Sequence, residues 1–200
     1  MKQDYSDDFK NACRFSSKKE VENLCYMALI DSYTRVKQVE KIHSLNENGI
    51  RDEFVIDLVQ TNKLISLAVE NYIIIIIPEC WDPVKRNRTD IEFVLPSYKR
   101  RLIFECKKLS SAEKRYLDDG LIRFIELKYA EKEPDGGMIG FVVNGNFIKT
   151  ISKLKEKVKC FHIIKLIDEQ VLNYKYSFQS LHKRKNSTHI LISHLFFKFS

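Results

Sequence analysis

The sequence predicts an α/β fold in which a mixed β-sheet is flanked by helices. Segments with apolar residues at three- and four-residue steps alternate with short β-branched and aromatic runs, and turn residues such as Asn48-Gly49 separate them. The 200 residues are 44% hydrophobic and 30% charged, which is typical of one compact domain. We therefore expect a single domain over residues 1–200.

Helices are predicted in the N-terminal part, over about 17–62. Ser17 and Glu20 fit a capping box, and apolar residues then recur at helical spacing, which predicts a helix from about 17 to 43. A second helix is predicted to follow Asn48-Gly49 and to end near Asn62.

Strands are predicted after these helices, because β-branched and aromatic runs replace the helical spacing. The first three lie over 72–77, 90–95 and 101–107, and a short polar connection makes the last two an antiparallel hairpin. Asp135-Gly136-Gly137 predicts a turn. The remaining predicted elements are a helix over 112–130, a buried strand over 138–143, a basic helix over 146–159 and C-terminal strands near 161–167 and 190–199.

Charged residues interrupt the predicted hairpin where its strands otherwise look buried. Asp90 and Glu92 share one face of the first strand, because alternate residues of a strand point the same way. Glu105 and Lys107 share a face of the second strand for the same reason. A pairing in which opposed residue numbers sum to 197 places Asp90 opposite Lys107. Glu92 then lies opposite Glu105, and all four side chains converge, whereas an even sum would separate the two pairs.

This convergence indicates a metal site. Like charges that are buried together raise each other's pKa and lose hydration, and a divalent cation offsets both costs. Asp90 and Glu105 supply the one or two carboxylates that Mg²⁺ commonly takes from a protein. Lys107 could orient a water or neutralise charge on a phosphate. The alternative is an ordinary hairpin whose charges pair in water, but the core-like run around Glu105 and Lys107 favours the metal site.

At these residues the chain resembles the PD-(D/E)XK, or restriction-endonuclease-like, superfamily, whose signature is an aspartate entering one strand and E-x-K on the next. Asp90, Glu105 and Lys107 match residue by residue, while Thr89 stands in place of the proline that names the motif. The resemblance implies a restriction-endonuclease-like core. It also implies a Mg²⁺-dependent endonuclease that hydrolyses phosphodiester bonds, in DNA more than in RNA, with Mn²⁺ expected to substitute for Mg²⁺.

The resemblance also implies further site residues and a setting. An acidic residue on a preceding helix often joins the metal shell in this superfamily, and the sequence leaves Glu47 and Glu53 open as candidates. Glu92 is an additional candidate ligand. The span 88–143 looks like small bacterial members of the superfamily, many of which act in restriction or anti-phage defence. Contacts to nucleic acid are expected from Arg86, Arg88, Lys108, Arg123 and Lys128.

The remaining composition narrows the class of protein. The net charge of +7 favours an anionic partner. Five cysteines without zinc-ligand spacing predict reduced thiols, and His182, His189 and His194 are interpreted as structural. No secretory signal pattern or membrane-length apolar run is present in the sequence, so we expect a cytoplasmic protein without a membrane partner.

Two alternatives stay open. The first is a catalytically idle nucleic-acid-binding or interaction module that keeps the nuclease fold. The second concerns assembly, since a homodimer or a defence-system partner protein is compatible with the same sequence.

Overall fold

The computed structural model describes residues 17–82 and 87–199. Its N-terminal part contains helices α1 (Lys18–Val36), α2 (Glu47–Gln60) and α3 (Lys63–Glu70). The predicted capping box at Ser17 and Glu20 is confirmed. The predicted end of the first helix near 43 is wrong, because Lys41 adopts a left-handed backbone conformation and a short 3₁₀ turn follows it.

Within the described residues, seven strands form one mixed sheet: β1 (Ile75–Pro78), β4 (Ile91–Leu95), β5 (Arg100–Leu109), β6 (Asp135–Val142), β7 (Ile163–Ile167), β8 (Ser177–Lys183) and β9 (His189–Lys198). The short strands β2 (Trp81–Asp82) and β3 (Asn87–Arg88) pair separately. The order in the sheet is β1-β4-β5-β6-β9-β8-β7. The pairs β5–β6 and β6–β9 are parallel, whereas the outer pairs are antiparallel. The predicted mixed sheet is therefore confirmed.

The helix predicted over 112–130 is wrong in extent. A π-helix over Tyr116–Leu121 leads into the short helix α4 (Ile122–Ile125), and the chain then leaves the helix. Leu127 and Ala130 have positive φ angles of 63° and 50°, which a continuing helix excludes. The basic helix predicted over 146–159 is confirmed as α5 (Phe147–Lys159).

The turn predicted at Asp135-Gly136-Gly137 is also wrong, because these residues begin strand β6. The reason lies in packing. A Cβ atom at Gly137 would lie 2.1 Å from the Phe104 ring, so glycine is needed there for the close approach of β5 and β6. The strand β8 and the helix α3 as a separate element were not predicted.

Apolar side chains cover both faces of the sheet. On one face, α1 to α3 pack their apolar sides against the strands, with Phe54 stacked on Phe141 and Phe197. On the other face, the π-helix and α5 pack against the strands, with Tyr116 stacked on Phe196. Burial of apolar surface on both faces stabilises the central strands, and it makes the sheet a middle layer between helices, as predicted.

Two further sequence predictions concern the thiols and the membrane. Cys25, Cys80, Cys106 and Cys160 are free thiols, as predicted, and Cys13 lies outside the described residues. Across 17–82 and 87–199, no helix combines the length and apolar character that a bilayer span requires.

A chain of buried hydrogen bonds joins the π-helix to the sheet. His182 Nδ1 lies 3.0 Å from the Phe161 carbonyl, which can only accept, so this nitrogen carries the proton. Its Nε2 then accepts from the Ser180 hydroxyl, which accepts in turn from His194 Nε2, both over 2.7 Å. His194 Nδ1 finally accepts from the Tyr116 hydroxyl over 2.9 Å. The structural interpretation of His182 and His194 is therefore confirmed.

Burial keeps both histidines neutral. It lowers the pKa of His182 from 6.5 to about 4 and that of His194 well below its usual value. Between the folded and the unfolded pKa of His182, the unfolded chain binds more protons than the folded protein. The free energy of unfolding therefore falls as the pH falls from about 6.5 to about 4.

We predict that His182→Gln flattens this pH dependence. The His182 contribution amounts to about 3 kcal/mol over that range, from the difference between its folded and unfolded pKa values. Denaturant unfolding of wild type and variant at several pH values measures it, with the exposed His189→Gln as control. Equal slopes for wild type and His182→Gln would contradict the neutral hydrogen-bonded chain.

Candidate active site

The hairpin of β4 and β5 brings the predicted site residues to one place. Ile91 lies opposite Phe104 and Leu95 opposite Arg100, so opposed residue numbers sum to 195. The predicted sum of 197 is wrong, because the 3₁₀ turn Pro96–Tyr98 closes the hairpin early. A shift of two residues preserves the faces, and the predicted odd sum is confirmed. Glu92 consequently lies opposite Ile103 instead of Glu105.

Strand β4 pairs with β5 only as far as Phe104, which leaves the next residues of β5 without a strand on that side. Side chains take the place of the missing strand. Asp90 Oδ2 accepts a hydrogen bond of 2.7 Å from the Cys106 N–H, and Glu47 Oε2 accepts one of 2.7 Å from the Lys108 N–H. Both acids are thereby fixed relative to β5.

The carbonyl groups along the same edge are also bonded. Lys107 Nζ donates to the Cys106 carbonyl over 3.0 Å, and Arg115 donates to the Lys108 carbonyl. The open edge of β5 is thus the element that positions the charged side chains around Glu105.

Glu105 and Lys107 form a buried ion pair on β5. Their exposed fractions are 1% and 6%, and Lys107 Nζ lies 2.5 Å from Glu105 Oε1. Arg123 Nη1 lies 3.4 Å from the same oxygen. The other oxygen, Glu105 Oε2, is buried and has no hydrogen-bond partner among the described residues. An unpartnered buried carboxylate oxygen is costly, which indicates a site that receives a further group.

Glu105 and Lys107 differ in the pH range over which they are charged. Burial, together with the nearby charge of Asp90, raises the pKa of Glu105 from 4.5 to about 7, although Lys107 and Arg123 oppose this. The pKa of Lys107 is also raised: burial lowers it, but the charge and hydrogen bond of Glu105 outweigh that effect. Lys107 therefore stays charged, while Glu105 changes its charge near neutral pH.

Asp90 is held by an arginine that the sequence reasoning missed. Arg51 of α2 is 3% exposed, and its Nη1 lies 3.2 Å from Asp90 Oδ1 and 2.8 Å from Glu79 Oε1. Arg51 comes from a helix 39 positions away in sequence, so no local pattern links it to Asp90. In the sequence, the position of Arg51 next to the apolar Ile50 of the predicted helix was the signal that could have indicated its burial.

The structure distinguishes the two glutamates that the sequence left open. Glu47 begins α2, and its Oε1 lies 3.4 Å from Lys107 Nζ, in addition to its bond with the Lys108 N–H. Glu53 lies six residues further along, which rotates it about 240° around the helix axis from Glu47. Glu47 is therefore the acidic residue of α2 that reaches the cluster. Glu92, the remaining candidate, pairs with Arg101 on the same face of the sheet.

The residues predicted to contact nucleic acid differ in their distance from the cluster. Arg123 contacts the cluster directly and also Tyr129, whose hydroxyl donates to the Arg88 carbonyl. The side chains of Arg88 and Lys128 are 54% and 55% exposed and pair with Glu79 and Glu126. Lys108 points to the opposite face from Lys107 and donates to the Leu45 carbonyl. Arg86 lies outside the described residues.

The donor set fits a magnesium ion in its chemistry. Asp90 and Glu105 offer hard carboxylate oxygens, and the unpartnered Glu105 Oε2 is an acceptor that a cation would satisfy. As the side chains stand, no three His, Cys, Asp or Glu residues within 17–82 and 87–199 are grouped as a metal site. A magnesium site would therefore take its remaining ligands from water and substrate oxygens.

No protein-family model matches the sequence, and comparisons with curated proteins and with solved structures give no match either.

We predict that Glu105→Gln changes how stability depends on pH. Because the folded pKa of Glu105 exceeds the unfolded value, the folded protein holds a proton that the unfolded chain has lost, and wild type loses stability as the pH rises from about 4.5 to about 7. The variant lacks this loss, so it gains about 3 kcal/mol relative to wild type across that range. Denaturant unfolding at about pH 5 and about pH 8 measures the difference.

Glu113→Gln provides a control of opposite sign. The Ser110 N–H and hydroxyl and the Arg115 guanidinium lower the pKa of Glu113 against the effect of burial, so wild-type stability from this group is lost as the pH falls. If the free energy of unfolding of Glu105→Gln changed with pH as that of wild type does, the raised pKa of Glu105 would be contradicted.

Proposed function

We propose that this protein is a metal-dependent nuclease with a restriction-endonuclease-like core, in which Asp90, Glu105 and Lys107 form the catalytic centre. The observation that carries the proposal is the buried Glu105 carboxylate, which keeps one oxygen unpartnered beside Asp90 and Lys107. A purely structural ion pair would bury fewer charges and satisfy both oxygens. The arrangement supports a site built to receive a cation and a phosphate.

The residues of the chain have separable roles in hydrolysis. Asp90 and Glu105 would hold a magnesium ion, which supplies Lewis acidity and a more acidic bound water. Lys107 remains protonated beside Glu105, so its ammonium can donate to an attacking water or to a phosphate oxygen. Glu47 lies beside the ammonium, and Arg123 lies beside the Glu105 oxygen that the ammonium contacts, so both restrict the geometry of the pair. These roles require no large rearrangement of β5.

The charge around the cluster favours a polyanionic substrate. Arg115 and Arg123 contact Glu47 and Glu105 of the cluster, and Arg88 pairs with Glu79 beside Arg51. The side chains of these three arginines are 36% to 54% exposed. Phosphate groups attract such cations, and the resulting affinity is independent of base sequence. DNA is proposed over RNA on the resemblance to the superfamily alone, and the same resemblance is the basis for a role in anti-phage defence.

One observation favours the idle-module alternative. Arg51 is almost fully buried and already pairs with Asp90, and Lys107 already pairs with Glu105, so each acid has a cation from the chain itself. A nucleic-acid-binding module without catalysis would keep such pairs unchanged. Metal binding would instead require Arg51 to share or release Asp90, and a titration can detect this.

We predict that cleavage requires a divalent cation and that Glu105→Ala or Lys107→Ala abolishes it. Removal of either group takes away charge stabilisation at the phosphate, so the rate should fall by at least about 100-fold. Plasmid, linear duplex, single-stranded DNA and RNA are incubated with each protein in Mg²⁺, Mn²⁺ or EDTA.

The matched controls for this experiment are Glu156→Ala and Lys149→Ala, which replace exposed residues of α5. A thermal-melting titration with Mn²⁺ provides a readout independent of activity, since a cation that binds the folded protein raises its melting temperature. Cleavage in EDTA, or undiminished cleavage by folded Glu105→Ala, would remove the proposed mechanism. Folded wild type with neither cleavage nor a Mn²⁺ shift would support the idle module.

Binding to DNA should weaken steeply with added salt, because cations of the protein replace counterions on the phosphates. We expect Arg88→Ala to reduce the slope of log affinity against log salt concentration by about 0.9 for one lost phosphate contact. Fluorescence anisotropy of a labelled duplex in EDTA measures this slope. Lys37→Ala, an exposed lysine next to the end of α1, should leave the slope unchanged. A salt-insensitive affinity would indicate a partner other than nucleic acid.

A further inference from the structure

A half-enclosed cavity of about 320 Å³ lies on the same face of the sheet as the catalytic cluster. Ile103 and Ala130 give it apolar walls, and Glu92 and Arg101 line it with charge. Lys128 and Glu131 add further charges of both signs. The cavity therefore combines apolar surface with positively and negatively charged side chains that can donate and accept hydrogen bonds.

The cavity adjoins the cluster through strand β5. Ile103 precedes Glu105 by two residues, so the two side chains point to the same face about 7 Å apart along the strand. Tyr129, which contacts Arg123 beside Glu105, also lines the cavity. A group that is bound at the cluster could therefore extend into the cavity without crossing a barrier of main chain.

The wall opposite β5 is a strained loop that is firmly held. Leu127 and Ala130 have left-handed backbone conformations, which cost energy for residues with a side chain. The buried Arg184 donates from Nη2 to the Ala130 carbonyl over 2.6 Å and from Nη1 to the Glu131 carbonyl over 3.1 Å. Strain that is maintained by a buried arginine indicates that the shape of this wall is needed.

Glu92 is the least expected residue of the cavity. Its exposed fraction is 1%, yet it is a charged side chain on a core strand, and its ion-pair partner Arg101 is 49% exposed. A buried carboxylate with an exposed partner contributes little to stability, because solvent screens the pair while the acid stays desolvated. Recognition of a ligand offers a reason for its position.

We propose that this cavity binds one unpaired nucleobase of the substrate, next to the phosphate held at Glu105 and Lys107. The inference rests on the proposed function, because the base belongs to the same nucleic acid that the cluster would cleave. A nucleobase is flat and largely apolar on its faces, and it carries donors and acceptors on its edge. These features match the apolar walls and the Glu92–Arg101 pair.

A free phosphate is a poorer match than a base. Three carboxylates, Glu92, Glu131 and Glu133, line the cavity and offset its three cations, so the lining offers no excess of positive charge to a free phosphate. A paired base cannot present its Watson–Crick edge to a cavity, so the substrate would need a single-stranded, terminal or extruded nucleotide. The cavity thus makes the nuclease selective for unpaired nucleotides.

The test uses deoxynucleoside 5′-monophosphates and, as the base-free probe, 2-deoxyribose 5-phosphate, titrated in EDTA against methyl-labelled protein. The methyl resonances of Ile103 and Ala130 should shift with a nucleotide at a concentration at least about tenfold lower than with the base-free probe. Ile103→Phe, which places a bulkier ring at the wall of the cavity, should reduce this preference. The matched control is Ile163→Phe, because Ile163 is a half-buried strand residue that lines a different cavity on β7.

Equal shifts with nucleotide and base-free probe would overturn the proposal, as would an unchanged preference in folded Ile103→Phe. If Ile103→Phe fails to fold, Glu92→Gln decides, since it keeps the shape of the cavity and removes its charge. A nucleotide affinity reduced by about threefold or more then supports the base site, and an unchanged affinity overturns it. Base-dependent binding without cleavage would remove the proposed nuclease function alone, whereas cleavage without base-dependent binding would remove the cavity proposal alone.

Discussion

The open edge of β5 beyond Phe104 is the constraint on which the candidate site depends. Strand β4 separates from β5 there, and buried backbone groups that lose a strand partner must find another. Asp90 and Glu47 bond the N–H groups of Cys106 and Lys108, so each acid is held by the main chain of the strand that carries Glu105. A site assembled from two hairpin strands and a distant helix is therefore positioned to the accuracy of backbone hydrogen bonds.

The same edge explains why so many charges can be buried together. Asp90 and Glu47 are each stabilised by a backbone N–H, and Arg51 and Lys107 supply nearby positive charge. Glu105 is the exception, since one of its oxygens remains unsatisfied and its pKa is raised to about 7. The free-energy cost of burying these charges therefore falls mainly on the Glu105 carboxylate. A cation or a protonated substrate group that reached it would relieve that cost, which links the stability of the site to its occupancy.

The sequence predicted the shared face of Asp90, Glu105 and Lys107 from side-chain alternation within each strand together with an odd-sum pairing of the two strands. It did not predict the register itself, since that depends on where the turn closes, and the 3₁₀ turn before Lys99 is a local choice among several. The roles of Glu47 and Arg51 depend on how α2 docks on the sheet. Contacts across 39 to 61 positions leave no periodic signal in the sequence.

The π-helix belongs to the apolar core on one face of the sheet, and it also packs against the site. Gly120 lies on it, and a Cβ atom there would lie 2.5 Å from the Met138 side chain and 3.6 Å from Lys107 Cε, so the π-helix packs closely over the stem of Lys107. Its first residue, Tyr116, donates to His194, which belongs to the chain of buried hydrogen bonds through Ser180 and His182. His182 and His194 stay neutral well below pH 6.5, whereas the pKa of Glu105 lies near 7. The histidines that hold the π-helix in place over Lys107 therefore do not change charge in the pH range in which Glu105 does. The pH response of the site near neutrality should consequently originate at Glu105, with the surrounding framework unchanged.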